Sequence, residues 1–111
     1  MVFVELPLFV RSADRLFSDD ELRRLQTDLL ENPQLGALIP QGRGLRKLRV
    51  PMAGRGKRGG ARVIYYHWVD ADLCYLVYAY AKNEAADLSR EQLQRLARAM
   101  LAEVDDGRDE L

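Results

Sequence analysis

The chain has 111 residues, 48% of them hydrophobic, and its 17 basic side chains balance 17 acidic ones to zero formal net charge. That length suits one domain, residues 1–111, with an ordinary globular core. No apolar run reaches the about 18 residues of a membrane span, and Met1-Val2-Phe3-Val4-Glu5 puts no basic stretch ahead of a long apolar one; neither an anchor nor a signal peptide is expected, and the cytoplasm is the default location.

Val2 to Leu6 alternates loosely and reads as a short strand that Pro7 ends. Phe9, Ala13, Leu16 and Phe17 recur at helical spacing. Ser18-Asp19-Asp20-Glu21 forms a capping box, in which the Ser18 hydroxyl accepts from the Glu21 backbone and the Glu21 carboxylate reaches back. Leu22, Leu25 and Leu29 mark the buried face of a second helix, which Asn32-Pro33 stops. The two helices should form a hairpin. Residues 33–44 read as a connector rich in Pro, Gly and Gln.

Leu45 to Val50 reads as a strand. The two-residue period puts Lys47 and Arg49 on one face and Arg46, Leu48 and Val50 on the other, so burial of Leu48 and Val50 leaves Lys47 and Arg49 on the open side. Residues 51–60 form a loop. Ala61 to Val69 and Leu73 to Ala81 are strands rich in Val, Ile, Tyr and Trp, joined by a short turn into an antiparallel hairpin at the centre of the sheet. A second capping box, Ser89 with Gln92, opens a last helix with Leu93, Leu96, Met100, Leu101 and Val104 on its apolar stripe. Residues 105–111 form an acidic, Gly-containing end expected to fray. This layout predicts an α+β fold, with helices on one face of an antiparallel sheet and the basic residues on the other.

The zero net charge hides an uneven distribution. Residues 1–31 carry seven acids and four bases, and residues 70–111 carry ten acids and five bases. Between Asn32 and Val69 stand Arg43, Arg46, Lys47, Arg49, Arg55, Lys57, Arg58 and Arg62, with no acid among them. Five glycines from Gly44 to Gly60 let the backbone come close to a ligand. Clustered cations beside glycine suit a polyanion such as RNA.

Such a cluster can cleave RNA without a metal. The ribose 2′-OH attacks the adjacent phosphate, which requires a proton acceptor, charge stabilisation on the non-bridging oxygens and a proton for the leaving 5′ oxygen. Fixed cations meet the second need directly. A lysine crowded by cations loses its proton more readily, which suits Lys47 or Lys57 to the first. DNA lacks the 2′-OH. Metal catalysis would need clustered His, Cys, Asp or Glu, and the basic segment has no carboxylate; no metal or other cofactor is expected. Ser12, Ser18 and Ser89 have no evident histidine partner. Gly54-Arg55-Gly56-Lys57-Arg58-Gly59-Gly60 lacks the spacing of a P-loop.

Gly44-Leu45-Arg46-Lys47-Leu48-Arg49, the run from Gly56 through Arg62 to Tyr66, Tyr80-Ala81-Lys82-Asn83-Glu84 and Asp87-Leu88-Ser89, together with Asn32-Pro33, resemble in order and spacing the RelE/HigB superfamily of bacterial toxins, in particular its HigB-like branch. The resemblance spans the first strand to the last helix. It implies a microbial-RNase-like fold and a toxin of a type II toxin–antitoxin pair that cuts messenger RNA in the ribosomal A site. It also implies a cognate antitoxin, often a helix-turn-helix DNA-binding protein. The family's cleaving positions fall at Lys47 and Arg49 on one strand and Arg62 opening the next. A lysine-arginine pair of the family falls at Lys82 and Asn83, so its arginine is missing. A tyrosine expected nearby is replaced at Leu88-Ser89. The leaving-group acid therefore stays open, with Arg55, Lys57, Arg58, Tyr66 and Tyr80 as candidates. Lys47, Arg49, Lys57, Arg62 and Lys82 are the candidate catalytic residues, and Arg43, Arg46, Arg55, Arg58 and Asn83 the candidate RNA or ribosome contacts.

Blander roles compete. Lys47 and Arg49 could form an ordinary polar strand face, Arg62 a solvated strand end and Lys82 a snorkelling side chain. His67, between Tyr66 and Trp68, reads as packed and hydrogen-bonded rather than catalytic. Cys74, alone in an apolar strand, reads as core. The tyrosines are core first, although one could stack on a base. Two rival functions use the same cations without cleavage. One is a ParE-like toxin that binds and poisons DNA gyrase; the other is a plain RNA-binding domain.

Overall fold

The computed structural model describes residues 1–51, 60–82 and 88–110, with side chains as far as Asp105. The elements are β1 (Val2–Glu5), α1 (Pro7–Asp14), α2 (Asp19–Glu31), β2 (Ala37–Leu38), β3 (Arg46–Val50), β4 (Ala61–Trp68), β5 (Leu73–Ala81) and α3 (Arg90–Glu110). Pro7 sits in the first turn of α1, where its missing N–H costs nothing. Both capping boxes form: Ser18 with Glu21, and Ser89 with Gln92. The backbone of α3 stays helical through the stretch expected to fray.

The α+β class holds, and the sheet runs β1-β5-β4-β3-β2 with β4 in the middle. Its pairings are antiparallel except at one edge, where β1 lies parallel to β5. A parallel pair needs a long crossover, and everything from α1 to β4 supplies it. The connector also holds β2, two residues that pair with Arg46 and Lys47.

Helices cover both faces, not one. Phe9, Ala13, Leu16, Phe17, Leu25 and Leu29 of the helical hairpin segment pack on Leu48, Ala61, Val63, Tyr65, Cys74 and Leu76. On the reverse, Leu96, Ala97, Met100 and Val104 of α3 pack with Leu45, Ile64, Tyr75 and Val77. The reason lies in β4 and β5, which are apolar on both parities; each face of such strands must leave water.

A bulge sorts the two parities of β5. Ile64 pairs with Tyr78 but Tyr65 pairs with Leu76, so Val77 is the extra residue. Tyr75, Val77, Tyr78 and Tyr80 consequently all reach the α3 side, while Leu76, Ala79 and Ala81 face the hairpin. Past Leu76, β5 has outrun β1, whose last partner is Glu5. There Ser12 of α1 takes over: its Oγ accepts from the buried Ala79 N–H at 3.1 Å and donates to Leu8 O at 2.8 Å.

His67 lies at the far end of β4 from Arg62, 14% exposed, with Nε2 3.9 Å from Asp72 Oδ1. That nitrogen is buried and has no hydrogen-bond partner among the described residues, so the expected hydrogen-bonded role is not met there. Cys74 is fully buried, and burial pushes its thiol up to about 12. It should resist alkylation at pH 8 in the native protein and react only after denaturant unfolds the chain, as a timed iodoacetamide assay read by mass would show.

Candidate functional site

The basic residues meet at one end of the sheet, on the face α3 partly covers. In the register of the three strands, Arg49 lies opposite Arg62, and Arg62 opposite Tyr80. The next row inward is Lys47, Ile64 and Tyr78. Residues directly opposite share a face, so the cations and tyrosines of both rows lie on one side of the sheet. The alternation Ala61-Arg62-Val63 and Ala79-Tyr80-Ala81 explains the arrangement: small residues go under the helical hairpin, and long polar or aromatic ones go to the other face. Tyr78 and Tyr80 stack at 5.9 Å between ring centroids.

Gly60 closes this end. Its φ of 66° lies in the left-handed region, and a Cβ there would collide with Val50 O. Its carbonyl accepts from the Lys82 N–H at 3.1 Å, which brings the end of β5 beside the start of β4. Lys82 is exposed two residues beyond Tyr80. Four sequence-derived candidates, Lys47, Arg49, Arg62 and Lys82, therefore converge on one end of the sheet. Lys57, Arg55, Arg58 and Asn83 lie outside the described residues.

Two other candidates are placed elsewhere. Arg46 shares the face of Leu48, and its Nη1 donates to Gly36 O at 2.7 Å. It stands directly opposite Tyr65, whose hydroxyl accepts from the Gly36 N–H and donates to Pro33 O, each at 2.8 Å. This cross-strand pair saturates the backbone of Gly36 and clamps the connector, so Arg46 acts as a structural clasp. Burial, the larger effect, raises the Tyr65 hydroxyl above its ordinary value, against the Gly36 hydrogen bond and the Arg46 charge. Arg43, with φ 55°, lies before β3 and lines a 220 Å³ hollow with Gln41, Gln94, Ala97 and Arg98 beside α3.

Of the two tyrosines expected as candidates for the leaving-group acid, Tyr80 is the one whose strand pairing lines it up with Arg62, while Tyr66 pairs with Tyr75. On the hairpin side of β3, Glu21, Arg24 and Asp28 line a 270 Å³ groove with Leu48, Arg49, Val50 and Pro51, so Arg49, beyond the end of β2, borders both faces of the sheet.

Arg49 and Arg62 stand about 5 Å apart at Cα, a like-charge cross-strand pair of a kind that is destabilising. Arg49→Gln should therefore raise the melting temperature slightly at low salt and lose that gain at high salt, as scanning calorimetry at two ionic strengths would measure.

The protein-family model described as the RelE toxin of the RelE/RelB toxin–antitoxin system matches residues 8–109. Among solved structures, the chain is similar to a mutant E. coli toxin RelE in the free state, with a TM-score of 0.57 and 14% identity. The match covers 77% of this chain and 86% of that one.

Proposed function

The chain belongs to the RelE toxin family, and from that premise we propose that its paired arginines cleave messenger RNA on the ribosome, in the A site, without a metal. As a toxin of a toxin–antitoxin pair, it blocks translation by this cut. The observation that carries the reading is the Arg49–Arg62–Tyr80 row, with Lys47 one row in and Lys82 at the strand end.

The chemistry follows from the row. A scissile phosphate over Arg49 and Arg62 would meet two guanidinium groups that bind its non-bridging oxygens and stabilise charge as the 2′ oxygen attacks. Lys47 or Lys57 takes the 2′-OH proton. The 5′ oxygen leaves with a proton, for which Tyr80 is well placed beside Arg62, and a 2′,3′-cyclic phosphate remains. A divalent cation would be repelled by this row, which favours the metal-free route. Arg55, Arg58 and Asn83 are the remaining candidates for backbone contacts to messenger or ribosomal RNA.

The cognate antitoxin is proposed to be a helix-turn-helix protein, and the cytoplasm is where a ribosomal target would be met. The HigB-like branch is proposed on the order and spacing of the motifs from Gly44 to Ser89. The test is induction in cells followed by mapping of RNA ends, with and without translation. New 5′ ends inside translated messages support the reading; growth arrest with intact messages and trapped gyrase–DNA complexes would replace it with the gyrase-poison alternative.

A further inference from the structure

Beside the proposed cleavage row lies a second cavity. Residues 37–40 and Leu88, with Leu93 in the first turn of α3, line an open cavity of about 390 Å³, and Lys47 is the one charged wall among the described residues. Lys47 is held in place by Ala37 on one flank and Ile64 on the other. Two residues along β3 stands Arg49, about 7 Å away at the rise of a strand. A phosphate on the arginine pair would thus have its neighbouring nucleotide at the mouth of this cavity.

We infer that this cavity receives one nucleobase flanking the scissile phosphate and so sets the base preference of the cut, an inference that rests on the nuclease reading above. Leucine, isoleucine and proline walls suit the π-faces of an unstacked base. With Lys57 taking the 2′-OH proton, the Lys47 ammonium can donate to the ring nitrogens or carbonyl oxygens of a base, which an apolar protein side chain would not use. Lys47 as the charged group among the described walls disfavours a cationic occupant, and continuity with the arginine pair favours the same polyanion over a separate ligand.

Two variants test it. Leu93→Phe narrows the cavity from the α3 side. Leu38→Ala opens it from β2, and since Leu38 is 59% exposed, its loss leaves the fold intact. Both are compared with wild type and Arg62→Ala by mapping RNA 5′ ends in a reconstituted translation reaction. Leu93→Phe should disfavour purines at one fixed position beside the cut by about tenfold. Leu38→Ala should flatten the preference at that same position. Cuts by both variants with the wild-type base distribution would overturn the inference while leaving the nuclease reading intact. Unaltered cuts together with weakened binding of a protein partner would also overturn it, by assigning the cavity to an apolar side chain. No cuts from wild type would overturn both readings together.

Discussion

Arg62→Ala should lower messenger cleavage by about 10³-fold and relieve growth arrest, while the protein keeps its fold. The expectation rests on position. Arg62 stands at the centre of its row, with Arg49 on one side and Tyr80 on the other, so its removal leaves the non-bridging oxygens with one fixed cation instead of two. It is half-buried, where a charge acts through a lower dielectric than at the surface. Single-turnover cleavage on programmed ribosomes gives the rate, and a denaturation curve gives the control. Arg43→Ala should cost far less, because Arg43 precedes β3 and faces Gln94 and Arg98 rather than the row. Equal losses in the two variants would reduce the site to diffuse positive charge.

The largest stability effects should come from the clasp between the connector and the sheet. Tyr65→Phe removes a hydroxyl that is fully buried and makes two hydrogen bonds, leaving the Gly36 N–H unpaired. The cost should be about 1–3 kcal/mol, or a fall of roughly 8–12 °C in melting temperature near the middle of that range. Gly36→Ala should cost as much by another route: its Cβ would stand 2.8 Å from Tyr65 Cε1 and 2.9 Å from Lys47 O. Chemical denaturation of the two single variants measures both. The second also presses on the strand that presents Lys47, so its cleavage rate should fall along with its stability. A Gly36→Ala protein as stable as wild type would show that the connector moves freely away from Tyr65.

The local signals of this fold were legible in the sequence. The capping boxes at Ser18 and Ser89, the stop at Asn32-Pro33 and the β4–β5 hairpin each depend on residues a few positions apart. Three features depend on distant ones and could not be read that way. Ser12 serves Ala79 across the fold, Tyr65 reaches back to Pro33 and Gly36, and β1 pairs in parallel with a strand at the other end of the chain. The helices on both faces were a matter of interpretation: apolar residues on both parities of β4 and β5 already required two covers. For the site, strand parity grouped Lys47 with Arg49 and set Arg46 apart. The choice of Tyr80 over Tyr66 needed the register.

The additional residue at Val77 has a consequence for how this chain can vary. The bulge is one residue of slack in β5. Removing one residue between Leu76 and Tyr78 would let the ladder run regularly and leave Tyr80 opposite Arg62. Removing a second would turn Tyr80 toward the helical hairpin and an alanine toward Arg62. The strand should therefore tolerate the loss of one residue at this point and no more.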